Sequence, residues 1–287
     1  MLIDSAKTKE IIITENIRIG GGGPLFLIAG PCVIETEEQA VAVARSVKEI
    51  CARHGIPYIF KASFDKANRS SVKSYRGPGL EKGLSILRRV KAEANVPVLS
   101  DVHETYQVGP AAEVLDIIQI PAFLCRQTDL IVEAARTKKP LNLKKGQFLS
   151  PQEMRNALEK AESQGNGDVL LTERGTCFGY NNLVFDVRSI PVMKRWGRPV
   201  VLDATHIVQR PGGRGEASGG EAEFIPTMVR AGVAAGADGL FLEVHDHPEA
   251  APSDRDNSLN IIELESILGA AMRIRRAILE SDATAGS

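Results

Sequence analysis

This chain lacks most of the features that would let composition alone announce a role. Its 287 residues carry a formal net charge of only −1, which argues against a protein that grips nucleic acid or an anionic membrane surface through bulk charge. Any anionic ligand must therefore be held by local clusters. No uninterrupted apolar stretch is long enough to span a bilayer, and Met1 to Lys7 lack the ordered pattern of a secretory signal. The four cysteines, Cys32, Cys51, Cys125 and Cys177, show neither a disulfide-like nor a CxxC spacing, so a reduced cytoplasm is the expected compartment. No GxGxxG follows the first apolar strand; the glycine run Gly20 to Gly23 precedes it, which weakens a dinucleotide-binding reading. A linker-like shift in composition is missing as well, and the expectation is one domain over residues 1–287.

What the chain does have is 43% hydrophobic residues, enough for a substantial core, distributed in short runs. Strands are expected at Leu25 to Ala29, Tyr58 to Ala62, Val96 to Asp101, Ile117 to Pro121, Leu141 to Lys144, Val169 to Thr172, Val200 to Ala204 and Gly239 to Glu243. These runs are continuously apolar rather than alternating, as expected of parallel strands buried on both faces. Amphipathic stretches lie between them, among them Glu37 to Cys51, Leu84 to Ala94, Pro151 to Glu162 and Phe224 to Ala235, with a last helix over Glu263 to Leu279. Ser150 before Pro151 reads as a helix cap followed by proline in the first turn. Eight strand-then-helix units in this length predict an α/β fold, a (β/α)8 TIM barrel. Residues 9–20, with Ile11-Ile12-Ile13 and Ile17-Arg18-Ile19 about a turn, predict a small hairpin closing its bottom, and residues 281–287 a frayed tail.

In such a barrel the carboxyl ends of the strands face a common pocket. Here those ends deliver Cys32, Lys61 with Ser63, Asp101 with His103, Gln119 with Ala122, Lys144, Arg174, Thr205 with His206, and Glu243 with His245. Cations aimed at one mouth repel one another unless an anion sits between them. The run Phe60-Lys61-Ala62-Ser63-Phe64-Asp65-Lys66-Ala67-Asn68-Arg69-Ser70-Ser71 adds further cations and short polar donors just past a strand, which suits a phosphorylated, oxygen-rich ligand. Strand alternation turns one of Lys144 and Lys145 inward without saying which. Cys32, His206, Glu243 and Asp254 form a mixed sulfur, nitrogen and oxygen donor set for a divalent transition metal. Each has a plainer role open to it: a packed thiol, a general base, a helix cap. Asp256 competes with Asp254, and His245 shares the face of Glu243.

The run from Phe60 to Ser71 closely resembles the signature of the 3-deoxy-D-manno-octulosonate 8-phosphate synthase family. The resemblance continues through Ser74-Tyr75-Arg76-Gly77-Pro78-Gly79-Leu80, Ser100-Asp101-Val102-His103-Glu104, Gln119-Ile120-Pro121-Ala122-Phe123-Leu124, Arg126-Gln127-Thr128-Asp129-Leu130, Asn142-Leu143-Lys144-Lys145 and Phe178-Gly179-Tyr180-Asn181-Asn182-Leu183. It implies condensation of phosphoenolpyruvate with arabinose 5-phosphate on the route to lipopolysaccharide. It also implies that Lys61, Ser63, Lys66, Gln119, Lys144 and Arg174 hold phosphoenolpyruvate, and that Asn68, Arg69 and Ser70 hold the sugar phosphate. Asp101, Ala122, His206 and Gln209 are expected to complete the pocket, with Lys61, Lys66, His206, Cys32 and Asp254 taking part in the chemistry. Arg126 resembles an arginine that reaches a neighbouring subunit's site, which implies a homo-oligomer, a tetramer by family resemblance. Cysteine at Cys32 resembles the metal-requiring branch of the family, with Cys32, His206, Glu243 and Asp254 as ligands and Fe(II), Zn(II) or Mn(II) compatible. The near alternative is a 3-deoxy-D-arabino-heptulosonate 7-phosphate synthase using erythrose 4-phosphate. Those enzymes carry an Arg-Thr-Ser type run where this chain has Lys66-Ala67-Asn68-Arg69-Ser70-Ser71.

Overall fold

The computed structural model describes residues 7–69, 71–212 and 219–285. Among these, eight parallel strands form a closed ring: Phe26–Gly30, Tyr58–Lys61, Val98–Asp101, Ile117–Ile120, Leu141–Lys144, Val169–Glu173, Val200–Asp203 and Gly239–His245. Each pairs with its successor in the chain, and the eighth pairs with both the seventh and the first. Closure leaves no main barrel edge unpaired. The fold is the (β/α)8 barrel that the apolar runs predict, and every strand begins and ends within two residues of its expected limits.

Helices cover the outside. α1 (Glu37–His54) starts at Thr36, whose hydroxyl accepts the Gln39 N–H, and stops at Gly55 in the left-handed conformation. α2 (Leu80–Ala94), α3 (Thr105–Val114), α4 (Thr128–Arg136), α5 (Met154–Glu162) and α6 (Ser189–Lys194) follow the second to sixth strands. The turn Pro151–Glu153 ahead of α5 is 3-10, and the Glu153 carboxylate accepts the Ser150 N–H at 2.8 Å, so the expected helix start holds. α7 (Ala204–Ile207), α8 (Ile225–Ala234) and α9 (Ile261–Ala285) complete the layer. α9 runs past Ser281, where the sequence predicts a frayed tail, as far as Ala285. No helix among the described residues is long and apolar enough to cross a membrane.

Outward-facing residues such as Leu27, Phe60, Val98, Ile118, Leu143, Leu171, Leu202 and Leu242 pack under the helices in one continuous core. A second apolar cluster fills the barrel itself: Phe26, Ile28, Ile59, Leu99, Ile117, Leu170, Val201 and Phe241, closed by Ile11 and Ile19. Those last two belong to the predicted hairpin, β1 (Ile11–Thr14) paired antiparallel with β2 (Ile17–Ile19), with Ile11 opposite Ile19. Gly239 is glycine for a steric reason, since a Cβ there would meet the Phe26 ring at 2.5 Å. The bottom of the barrel is therefore a dry plug.

Candidate functional site

Two residues further along the same strands the interior changes character. Side chains two apart share a face, so Ile59 is followed by Lys61, Leu99 by Asp101 and Ile117 by Gln119. Leu170 is likewise followed by Thr172, Val201 by Asp203 and Phe241 by Glu243, while the fifth strand contributes Asn142 and Lys144. All of these polar groups are buried. Above them opens a cavity of about 460 Å³ whose lining includes Lys61, Lys66, Arg69, Lys144 and Arg174.

The cations are held rather than loose. Lys144 Nζ lies 2.6 Å from Asp203 Oδ2 and 3.8 Å from the centre of the Phe241 ring. Lys61 Nζ donates to the Cys32 carbonyl at 2.9 Å and sits 3.4 Å from Glu243 Oε1. Arg174 donates to Gln147 Oε1 at 2.5 Å and to Gln209 Oε1 at 3.1 Å. Burial pushes the Lys144 ammonium and the Arg174 guanidinium below their ordinary ranges, so their positive charge is poorly solvated and an incoming anion is favoured. Burial also opposes the charge of Lys66, but Cys32, Glu243, Asp101 and Asp254 outweigh it and hold that ammonium above its usual range.

Beside the cations lies the thiol–carboxylate group. One ligand atom from each of Cys32, Glu243 and Asp254 falls within 4.8 Å of the others. His206 Nε2 joins them at 3.5 Å from Glu243 Oε1 and 3.8 Å from Asp254 Oδ2. Close approach of the backbone makes this possible: a Cβ on Gly30 would sit 2.2 Å from the Lys61 carbonyl oxygen. The Cys32 thiol donates to Asp254 Oδ2 at 2.8 Å. Burial, then the charges of Asp254 and Glu243, push it far up, so it keeps its proton unless a bound cation displaces it. Glu243 Oε2 is buried with no hydrogen-bond partner among the described residues. A buried carboxylate oxygen left in that state, among soft and hard donors, fits a divalent transition metal. Asp203 stands behind, its Oδ2 2.8 Å from His206 Nδ1 and its Oδ1 accepting the His206 N–H at the start of α7. That contact fixes the imidazole so that Nε2 points at the group.

The expected site residues are mostly brought together. Lys61, Lys66, Asn68, Arg69, Asp101, Gln119, Ala122, Lys144, Arg174, His206, Gln209 and Asp254 all line the cavity. Cys32 and Glu243 are buried at 4% and 0% exposure and lie beside it rather than on its wall. Ser63 is not on the wall either; it is fully buried and its hydroxyl donates to Asp101 Oδ1. Ser70 lies outside the described residues. Arg126 is exposed and outside this chain's cavity. Of the two candidate aspartates, Asp254 is the one beside Cys32, while Asp256 lines the cavity without joining that group. His245 turns to Glu35 at 2.7 Å and Gln39 at 2.8 Å, so it does not stand behind Glu243 as its place on the strand suggests.

Sequence reasoning missed Asp203, Gln147 and Ser253, and gave His103 no role. His103 Nε2 pairs with Asp101 Oδ2 at 2.9 Å, and Ser253 Oγ lies 2.9 Å from Cys32 Sγ. Asp203 had a signal, an acid at the end of the apolar run Val200-Val201-Leu202. Gln147 had none, being a neutral amide in a loop.

Fold and site together define a (β/α)8 barrel with a cationic mouth beside a thiol, imidazole and carboxylate cluster. The pattern of the DAHP synthetase I family matches residues 6–280, and the chain belongs to that family. It is 57% identical over 272 residues to a 2-dehydro-3-deoxyphosphooctonate aldolase of Desulfosudis oleivorans, covering 94% of this chain and 98% of the relative. Proteins of the same description from Geotalea uraniireducens and a Cyanothece species are 58% and 53% identical, over 91% and 94% of this chain and 95% and 98% of theirs.

Proposed function

We propose that the protein condenses phosphoenolpyruvate with D-arabinose 5-phosphate and water, giving 3-deoxy-D-manno-octulosonate 8-phosphate and inorganic phosphate. The observation that carries this reading is the convergence of Lys61, Lys66, Arg69, Lys144 and Arg174 on one cavity. They outnumber the aspartates on its wall, Asp101, Asp254 and Asp256, and offer phosphate and carboxylate groups charged donors. The descriptions of the relatives support it, as does the run from Lys66 to Ser71, which departs from the heptulosonate type.

In this reading C3 of phosphoenolpyruvate bonds to the aldehyde carbon, whose oxygen takes up a proton. Water oxygen adds at C2, and the C2–O bond to phosphorus-bearing oxygen breaks as phosphate leaves. Lys144 and Arg174 hold the phosphate and carboxylate of phosphoenolpyruvate, Arg174 through its planar fork, with Lys61, Lys66 and Gln119 beside them. Asn68 and Arg69 take the sugar phosphate. Arg69 has a buried Nη2 without a hydrogen-bond partner among the described residues. Fixed charges aimed at developing charge are most effective in such a water-poor site. Cys32, His206, Glu243 and Asp254 would hold a divalent ion, Fe(II), Zn(II) or Mn(II), which when bound supplies Lewis acidity at the aldehyde or the attacking water.

Arg126, exposed and outside its own cavity, is assigned to a neighbouring copy's sugar phosphate in a homotetramer. The proposal includes a single catalytic domain at work in the cytoplasm. It is tested by supplying the protein with divalent metal and phosphoenolpyruvate, then following phosphate release with each sugar phosphate. Release with arabinose 5-phosphate and little with erythrose 4-phosphate is expected. The reverse preference would make the protein a heptulosonate synthase, and binding without turnover a phosphosugar-binding barrel.

A further inference from the structure

Lys145, the lysine that faces away from the cavity, is not a solvated surface residue. It is 0% exposed, and its ammonium is surrounded by oxygen. Nζ donates to Thr176 Oγ1 at 2.9 Å, Gly175 O at 3.1 Å, Leu149 O at 3.2 Å and Gly146 O at 3.4 Å. It also lies 3.4 Å from Glu173 Oε1. Those acceptors come from two separate loops. Gly146 and Leu149 follow the fifth strand, while Gly175 and Thr176 follow the sixth. A buried ion pair is a poor way to gain stability, because desolvation offsets most of the attraction. This one instead ties together the two loops that carry Gln147 and Arg174.

The geometry around Arg174 is specific. Glu173 Oε1 accepts the Gly175 N–H at 2.7 Å, and Lys145 takes the Gly175 carbonyl. Both main-chain polar groups of the residue after Arg174 are thus held by the two charges. Gly175 has φ +88°, a left-handed turn that sends the chain away just where Arg174 must point inward. Across the gap the Cys177 N–H donates to the Gln147 carbonyl at 2.8 Å, and Arg174 donates to the Gln147 side chain. Neither Lys145 nor Glu173 lines the cavity.

We propose that the Lys145–Glu173 pair positions Arg174 and Gln147 for phosphoenolpyruvate without touching it. The proposal rests on the reading of Arg174 as a phosphoenolpyruvate ligand, so Arg174→Ala is measured alongside. Lys145→Met alone strands the Glu173 carboxylate and should lower Tm. Lys145→Met with Glu173→Gln removes both charges at similar volume and should recover much of that Tm. The double variant should still raise KM for phosphoenolpyruvate about tenfold while KM for arabinose 5-phosphate stays within about twofold. Thr176→Val removes one tether from a partly buried, near-isosteric site and should raise the phosphoenolpyruvate KM about two- to threefold. It should lower Tm less than Lys145→Met does, since three carbonyls and Glu173 still hold the ammonium. A pair that only stabilised the fold would let KM recover together with Tm. A wild-type phosphoenolpyruvate KM in the double variant, or in Thr176→Val should the double variant not fold, overturns the proposal. If Arg174→Ala itself leaves that KM unchanged, the reading of the site fails and the positioning role fails with it.

Discussion

The two ends of the barrel are built on the same strands, two residues apart, and obey different physics. At the bottom, Ile59, Leu99, Ile117, Leu170, Val201 and Phe241 fill the ring with Ile11 and Ile19 beneath them. At the mouth, the next inward positions are Lys61, Asp101, Gln119, Thr172, Asp203 and Glu243. Burying a methyl-rich layer stabilises the fold wherever it packs well. Burying a charged layer stabilises it little, and each ion there needs a partner or becomes a cost. Phe241 is the boundary, apolar below and offering its ring to the Lys144 ammonium above. The contrast implies that one layer holds the barrel closed while the other is kept for its chemistry.

Substitutions can break that division. Cys32→Asn should have the largest effect, lowering turnover by on the order of a thousandfold at limiting metal through loss of several kcal/mol of Lewis-acid assistance. The resemblance also implies some chelator-resistant residual activity, because asparagine is the residue of the metal-free branch. Metal content and phosphate release, measured together, check it; a Cys32→Asn protein that keeps full metal and full activity removes Cys32 from the ligand set. Leu170→Ala should come next and act only on stability, costing about 2–5 kcal/mol with KM for both substrates unchanged. Chemical denaturation beside steady-state kinetics would show it, and a kinetic defect without loss of stability would put the boundary in the wrong place.

Arg174→Ala and Lys144→Ala should each cost about 1.5–3 kcal/mol in kcat/KM for phosphoenolpyruvate, the loss of one charge-assisted contact. They should differ in Tm. Among the described residues Arg174 hydrogen-bonds to neutral Gln147 and Gln209 and feels Asp203 and Asp254 through space, whereas Lys144→Ala deprives the buried Asp203 of a direct ion-pair partner 2.6 Å away. Equal Tm values with equal kinetics would contradict that distinction. The smallest effect is expected of Arg126→Ala, about 1–2 kcal/mol and confined to the arabinose 5-phosphate KM. Mixing it with a Lys144→Ala subunit should restore some activity in verified mixed oligomers, and no recovery would count against a site shared between copies.

The bottom layer and the strands were legible because a strand buried on both faces leaves a continuous apolar run, as in Val169-Leu170-Leu171. α3 was harder to see, since Gly109 and Pro110 sit inside it and punctuate the pattern. In the mouth, ionisable residues at strand ends stood out because nothing structural asks for them there. What did not show was the support behind them. Whether Lys144 or Lys145 faces in depends on which face of a strand lies toward the axis, and the pairing of Asp203 with His206 Nδ1 depends on the start of a four-residue helix. Ser63 shows the limit from the other side: the right residue type at the right strand end, yet turned to Asp101 beneath the wall.

The most direct measurement is phosphate release from phosphoenolpyruvate and arabinose 5-phosphate by wild-type protein before and after chelation, with metal content determined in each sample. Activity that disappears with the metal and returns with Mn(II), Fe(II) or Zn(II), to differing degrees, is the predicted result. Full turnover by protein verified to be free of metal would contradict it. Cys32 would then be a packed thiol, and His206, held by Asp203, would stand alone as a base.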